Sequence, residues 1–339
     1  MSDLRINNIT DRTGGSGPVI AGVSTVTSTG AFTVPVGPTE YRGGRGRAIF
    51  AAGTQPGNQT INTINLVEVS TTGNATDFGD TSDIPTQPTA FGDATRACIA
   101  GGNPTPYASI LTTIDYITYS SGGGASEFGN LTEGARALSN GCSDATRGLK
   151  TGGVTSTVTY SNTIDYVTIQ TTGDATDFGD LKYKSYGSPH VSNGVRGIKM
   201  SGVQSPGGTA ESKKMEFVNI QTKGDGQDFA EMTTKSSEGG TVCDKTRGVC
   251  AVGTSNGNTI EYITMATFGN SINFGDLTSG RASRGASNAT RGIFGGGSPI
   301  VNIIDYITIQ TTGDATDFGD LITAVQQLGA VSDIHGGLG

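Results

Sequence analysis

Alternation between polar and apolar side chains is the dominant signal along this chain. In Asn162-Thr163-Ile164-Asp165-Tyr166-Val167-Thr168-Ile169 the pattern changes at a spacing of two, which is the period of an extended strand and not of a helix. The same phrase returns near Asn62, Thr112, Ser212, Asn258 and Asn302. Another phrase precedes it, an Arg that opens a short apolar run closing on glycine. Its anchors are Arg47, Arg96, Arg147, Arg196, Arg247 and Arg291, with His335 in the same place at the end. The steps between them are 49, 51, 49, 51, 44 and 44 residues. A third phrase, Thr172-Gly173-Asp174-Ala175-Thr176-Asp177-Phe178-Gly179-Asp180-Leu181, follows the alternating one, and its aromatic column reads Phe78, Phe128, Phe178, Phe229, Phe274 and Phe318. Residues 164–181 and 304–321 differ only at Val167 against Ile307, so the copies are one structural unit, repeated.

Each unit predicts four strands: a short inner one (Gly285 to Ala289 in the last copy), the Arg-to-glycine strand, the Asp-Tyr strand and the Asp-Phe-Gly strand. Four strands per roughly 45 to 50 residues, without a helical period, is the spacing of a β-propeller blade. The expected fold is therefore all-β, a six-bladed propeller. The first copy opens at its Arg strand while the chain finishes with another inner-strand segment near Gln326 to Asp333, so that last strand is expected to complete the first blade. The alternative is seven blades, the seventh built from residues 322–339 and the strand-like stretch Gly22 to Val36. The propeller then spans residues 38–339. Residues 1–37 form a short extended arm, polar, rich in Gly and Thr, and too small for a core of its own.

In a four-stranded blade, the loops after the first and third strands emerge on one side and the others on the opposite side. The first set barely varies between copies, as in Ser287-Asn288-Ala289-Thr290 and Gln170-Thr171-Thr172-Gly173-Asp174. The second set differs every time and includes Thr54 to Ile61, Asn103 to Leu111, Val154 to Ser161, Val203 to Glu211, Ser82 to Gly92 and Lys182 to Asn193. Binding residues concentrate on loops displayed by a rigid scaffold. Tyr107, Tyr160, Tyr183, Tyr186 and His190 are accordingly the candidate partner-binding residues. On the constant side, Arg147 is expected to pair with Asp174 or Asp177 of its own blade, an exposed contact worth ~0 to 1 kcal/mol.

Composition narrows the function classes. A net charge of −8 argues against a nucleic-acid partner, which needs clustered positive charge. No apolar run approaches the length of a membrane-spanning helix, and the start Met1-Ser2-Asp3-Leu4-Arg5-Ile6 lacks the apolar core of a signal peptide, so neither membrane insertion nor secretion is expected. Cys98, Cys142, Cys243 and Cys250 lack C-x-x-C spacing and are expected to be buried free thiols; with only His190 and His335 available, a zinc site is not expected. Asp177-Phe178-Gly179 spells the magnesium motif of protein kinases, but it recurs without a Lys strand or catalytic loop. Asp174, Asp177 and Asp180 match no EF-hand spacing. The expectation is a binding or structural module, with no catalytic residues, metal or cofactor.

An apolar strand ending in a diglycine (Gly101-Gly102, Gly152-Gly153), then a strand with a Tyr, then an aromatic strand, resembles the kelch repeat over residues 40–339. The chain departs from it in having no Trp, with Phe filling that column, and in weakening the diglycine to Ala52-Gly53, Ser201-Gly202 and Val252-Gly253. Together with the leader Ile6 to Ile20, the Thr-Ile-Asp-Tyr-Ile-Thr and Asp-Phe-Gly-Asp-Leu repeats resemble virion structural proteins of marine tailed bacteriophages, particularly cyanophages. The resemblance implies an appendage, such as a tail fibre or a surface protein of tail or capsid, assembled in the host cytoplasm. Its arm would attach to other virion proteins through Ile6, Ile9, Val19 and Ile20, its propeller would contact host-surface glycan or protein, and it could be a homotrimer. A purely structural decoration or connector protein and a carbohydrate-active enzyme are the alternatives.

Overall fold

Strands with apolar groups on both faces must be covered twice, and the chain meets this by standing six small antiparallel sheets side by side in a ring. The computed structural model describes residues 46–338 apart from 105–109, 133, 135, 156–158, 206–210 and 254–256. These belong to one compact unit, Tyr41–Gly339. The predicted arm with Ile6, Ile9, Val19 and Ile20, the stretch Gly22 to Val36, and Tyr107 lie outside the described residues.

In blade one, β1 (Arg47–Gln55), β2 (Gln59–Glu68) and β3 (Thr76–Asp80) run outward in order. Blade two is β4 (Thr89–Gly92), β5 (Arg96–Ala100), β6 (Thr113–Thr118) and β7 (Ser126–Asn130). Blade three has a divided inner strand, β8 (Arg136–Ala137) and β9 (Asn140–Ser143), followed by β10 (Arg147–Thr155), β11 (Tyr160–Thr168) and β12 (Thr176–Asp180). Blade four is divided in the same way: β13 (Lys184–Tyr186), β14 (His190–Ser192), β15 (Arg196–Ser205), β16 (Glu211–Asn219) and β17 (Gln227–Glu231). Blade five is β18 (Gly240–Cys243), β19 (Arg247–Ala251), β20 (Thr259–Thr264) and β21 (Ile272–Asp276). Blade six is β22 (Ala282–Ser287), β23 (Arg291–Ser298), β24 (Val301–Thr308) and β25 (Thr316–Val325).

The final strand, β26 (Gly329–Ser332), pairs antiparallel with β1 from Ala48↔Ser332 to Ala51↔Gly329, and so becomes the inner strand of blade one. The ring therefore closes at six blades through a terminal strand, and the seven-bladed alternative is overturned because residues 329–332 are already used by blade one. The inner strand of blade six ends at Ser287, two residues before the expected Ala289, because Asn288 begins the turn.

The core is distributed as six apolar clusters, one at each junction between blades. Phe78 lies with Ile49 and Ile99 between blades one and two, Phe178 with Leu149 and Val218 between three and four, and Phe318 with Phe50 and Ile293 between six and one. Phe128, Phe229 and Phe274 fill the remaining three. The column of six phenylalanines is thus the packing column of the whole ring.

Asp-Phe-Gly has a structural origin. Ile164 faces Gly179 across the β11–β12 ladder while the next residue, Asp165, faces Asp177, so Phe178 is the extra residue of a β-bulge. Gly179 sits at φ +144°, and a Cβ there would lie 2.7 Å from the backbone of Gly224 in blade four, which excludes every larger residue. At the diglycine of β10 the register shifts between Thr151 and Gly153, with Gly152 at φ +54°. Ala52 and Ser201 hold the same left-handed conformation at φ 61° and 76° despite their Cβ atoms, so the weakened diglycines keep the backbone shape at a cost in strain.

Asp333, just past β26, completes the closure. Its Oδ1 accepts from Gly46 N (3.0 Å) and Arg47 N (2.8 Å), and its Oδ2 from Arg47 Nε (3.1 Å). With the carboxylate fully buried, Asp333→Ala leaves these donors unmet and is expected to cost about 3–5 kcal/mol in chemical denaturation. Asp333→Asn should retain a large part of this stability, because Asn193 and Asn288 make the same backbone contacts in blades four and six.

Candidate functional site: the two faces of the ring

On the constant face, every inner strand ends in an Asx turn. Asp93 Oδ1 accepts from Thr95 N (2.8 Å) and Arg96 N (2.9 Å), and Asp144, Asn193, Asp244 and Asn288 repeat the arrangement within their own blades. Asp333 makes it across the closure. It is thus Asp333 that occupies the repeat position in the last segment, and His335 is out of register with the Arg anchors.

Each turn aims its Arg at the next blade. Arg96 Nη1 donates to Ile169 O (3.3 Å), Arg147 Nη1 to Ile220 O (2.9 Å), Arg196 Nη1 to Met265 O (3.1 Å), Arg247 Nη1 to Ile309 O (2.9 Å) and Arg291 Nη1 to Val69 O (3.1 Å). Arg47 Nη1 donates to Tyr119 O and closes the cycle. The guanidinium carbons of Arg96, Arg147 and Arg247 also lie over an aromatic ring of their own blade, 4.6 Å from the centroid of Tyr116 for Arg96 and of Tyr166 for Arg147, and 4.2 Å from Tyr262 for Arg247.

The expected pairing of Arg147 with Asp174 or Asp177 is corrected. Asp174 Oδ1 instead accepts from Asn130 N of blade two (2.9 Å), and Asp177 is exposed. The anchors join blades to one another, a role invisible when a repeat is considered alone. Glutamines add further links: Gln170 Nε2 donates to Asp93 Oδ2 at 2.6 Å and to Thr95 Oγ1 at 2.7 Å, again between neighbouring blades. The polar groups of this face are largely occupied by the ring itself.

The variable face is arranged otherwise. Tyr160 of blade three and Tyr186 of blade four bring their ring centroids to 4.7 Å at an interplanar angle of 49°. Burial first, then Tyr160 and the negative charges of Glu238 and Glu211, push the Tyr186 hydroxyl up to about 12. Gly187 next to it packs against Glu238, whose main chain is left-handed at φ 56°. Ser237 Oγ donates to Glu211 Oε1 at 2.8 Å. Arg284 reaches across the inner strands, donating from Nη1 to Glu238 O (2.7 Å) and from Nε to Leu328 O (3.1 Å). Two tyrosines and two glutamates from three successive blades therefore form one sector. Tyr183 is half-buried nearby in sequence, with Lys182 Nζ 5.7 Å from its ring centroid.

His190 is not on a loop. Residues 182–193, expected as one variable loop, contain β13 and β14, and His190 opens the second of these inner-strand segments at 7% exposure. Its Nδ1 donates to Ser188 O (2.8 Å) and its Nε2 accepts from Thr151 Oγ1 (2.8 Å), and burial pushes its pKa down to about 3. It has no free nitrogen for a partner. All four cysteines are buried free thiols, and burial raises their pKa values. Among the described residues, no group of three His, Cys, Asp or Glu side chains could hold a metal ion.

Sequence reasoning passed over one buried column. Asp115, Asp165, Glu216, Glu261 and Asp305 occupy one register of the alternating strand, and all are buried. They hold the chain leaving the preceding blade: Asp115 accepts from Ser82 N (2.9 Å), Glu216 from Lys182 N (2.7 Å) and Asp305 from Thr278 N (3.2 Å). Three also meet buried cations, Arg136 at Asp165, Lys199 at Glu216 (3.1 Å) and Arg281 at Asp305 (2.9 Å). Asp115 has Ser82 as its hydrogen-bonding partner, and burial raises its pKa. An acid at a fixed register in an otherwise apolar strand was the available signal.

Two outcomes check this description. Arg147→Ala loses a charge-assisted hydrogen bond and a ring contact and should cost about 2 kcal/mol in urea unfolding, with Arg147→Lys recovering little of it. For His190, the unfolded chain titrates near the ordinary 6.5 while the folded state resists protonation down to about 3. Stability from this residue is complete above the unfolded value and falls as pH drops below it, by about 1.4 kcal/mol per unit. Urea midpoints at descending pH should therefore fall more steeply for the native protein than for His190→Asn. In comparisons with known proteins, no family model matches the chain and no curated protein matches it.

Proposed function

We propose that this chain is a bacteriophage virion protein, an appendage or surface component of tail or capsid. Its propeller would bind host-surface glycan or protein, or a neighbouring virion protein, through the variable face. The kelch-like repeat and the leader described above support the phage reading by resemblance. The observation that carries the binding reading is the contrast between the faces: one spends its polar groups on links between blades, while the other presents Tyr160, Tyr186, Glu211 and Glu238 as a sector unlike the other copies. Binding is favoured over catalysis because His190 and His335 are buried and hydrogen-bonded at both nitrogens, and the thiols are held protonated. A particle carrying several copies would multiply modest single-site affinities.

A second reading, a decoration or connector protein, has its own support. Val195, Phe268 and Ile272 are 64%, 60% and 57% exposed, and all belong to blades four and five. Thr146, Thr172 and Thr176 stand at the matching positions of blade three. An assembly contact would cover such side chains.

Purified protein labelled for flow cytometry on cyanobacterial host cells tests the first reading. Tyr160→Ala with Tyr186→Ala should weaken binding roughly 30-fold, as loss of a central aromatic pair does, while Asp177→Ala on the opposite face should leave it unchanged. Equal binding by both variants would remove the variable face as the docking surface. Native protein that binds no host cell but is found by mass spectrometry in purified particles would favour the connector.

A further inference from the structure

The segment after β26 does more than supply Asp333. Residues 333–337 are buried, and they cross the constant-face end of the inner strands of several blades. Asp333 is bonded to Arg47 of blade one. His335 Nε2 meets Gly92 O of blade two (2.9 Å) and Ser143 Oγ of blade three (3.1 Å). Gly336 N donates to Cys243 O of blade five (3.1 Å), and a Cβ on Gly337 would lie 2.4 Å from Ser192 Oγ of blade four. A segment that touches the inner strands of blades two to five, and β1 of blade one, at one end of a ring lies over its axial opening.

Around that opening the inner strands form a polar girdle. Ser143 Oγ donates to Gly92 O (2.7 Å), Ser192 Oγ to Ser143 O (2.6 Å), Ser287 Oγ to Cys243 O (2.9 Å) and Ser332 Oγ to Ser287 O. His335 inserts where Gly92 offers no side chain. Its tautomer is set by its partners: Gly337 N donates to Nδ1 (3.1 Å), so Nδ1 carries no proton, and the single ring proton is on Nε2, directed to Gly92 O.

We propose that residues 334–338 are a proton-operated latch over the axial opening, held shut by the neutral imidazole of His335 and released when that ring gains its second proton. The added proton must go to Nδ1, where it abolishes the acceptor for Gly337 N and sets two N–H groups against each other. Among the described residues, the other backbone bonds of the latch are Gly336 N to Cys243 O and Leu338 N to His335 O, and neither involves the imidazole. Beside it, an open depression of about 480 Å³ is lined by Ile334, His335, Asp244, Lys245 and Gln310, which gives the imidazolium space and a carboxylate outside the girdle.

The charges facing His335 set the direction. Burial lowers its pKa and is the largest influence; Asp93 and Asp144, from the turns of blades two and three, and Asp333 of its own segment raise it, leaving it below the ordinary 6.5. Arg47 neutralises Asp333, and Gln170 and Gln221 occupy Asp93 and Asp144. The latch is therefore closed at neutral pH and opens as pH falls below the normal histidine range. Opening exposes the carbonyls of Gly92 and Cys243 and the serine hydroxyls to solvent.

Hydrogen–deuterium exchange of the full chain at about pH 7.5 and about pH 4.5, corrected for intrinsic rates, tests this. Amides 336–338 should lose protection at least about tenfold at the lower pH while strands Arg147–Thr155 and Thr316–Val325 stay protected. His335→Gln, neutral at both values, should show no such pH dependence, which separates the imidazole from protonation of Asp93, Asp144 or Asp333. Unchanged protection of 336–338, loss only together with the blades, or a pH dependence that survives in His335→Gln would overturn the proposal. Should the variant fail to fold, the native comparison decides between the first two outcomes and local release.

Discussion

The ladder between β26 and β1 is the constraint on which the remaining structure depends. Each blade is too small to cover its own faces, and each apolar cluster needs strands from two neighbours. Stacking five junctions leaves two blades with one bare face apiece. Only a sixth junction removes both, and the pairing of Ala48–Ala51 with Gly329–Ser332 holds that junction at the required register. The buried bonds from Asp333 to Gly46 and Arg47 then reproduce across the closure the turn that the other blades make internally. Ring closure thus reuses a local motif, split between distant parts of the chain.

The same economy runs through the contacts between blades. Arg anchors, turn glutamines, the aspartates before the bulge and the acids of the third strand all reach a neighbouring blade. A repeat makes this possible because a bond satisfied once is satisfied at every junction where the residue types persist. Where they do not, substitutes are visible. Blade one has Leu66 where others carry an aromatic, and Arg47 lies over Tyr119 of blade two instead. Arg284 of blade six links blades five and one with its side chain.

The architecture was legible because strand alternation, a six-membered Phe column and a spare inner strand at the end are all properties of the one-dimensional string. The roles of Arg147 and Asp174 were not, because periodicity cannot distinguish a contact within a copy from the equivalent contact with the next copy. His190 was misplaced for a related reason: a divided inner strand interrupted by Gly187 and Pro189 has the composition of a loop, and burial is decided by the neighbouring blade. The Tyr160–Tyr186 pair was legible as residues but not as a pair, since the two rings come from different blades.

Having its closing strand near residue 330 also shapes how the molecule comes into being. While synthesis stops short of Gly329, β1 presents an open edge of unpaired backbone groups beside Phe50 and Ala48. During that interval a β26 from another chain fits the vacancy as well as the chain's own, because the ladder reads only backbone and register. Crowded assembly thus carries an inherent route to strand-exchanged oligomers, against which local effective concentration is the principal defence.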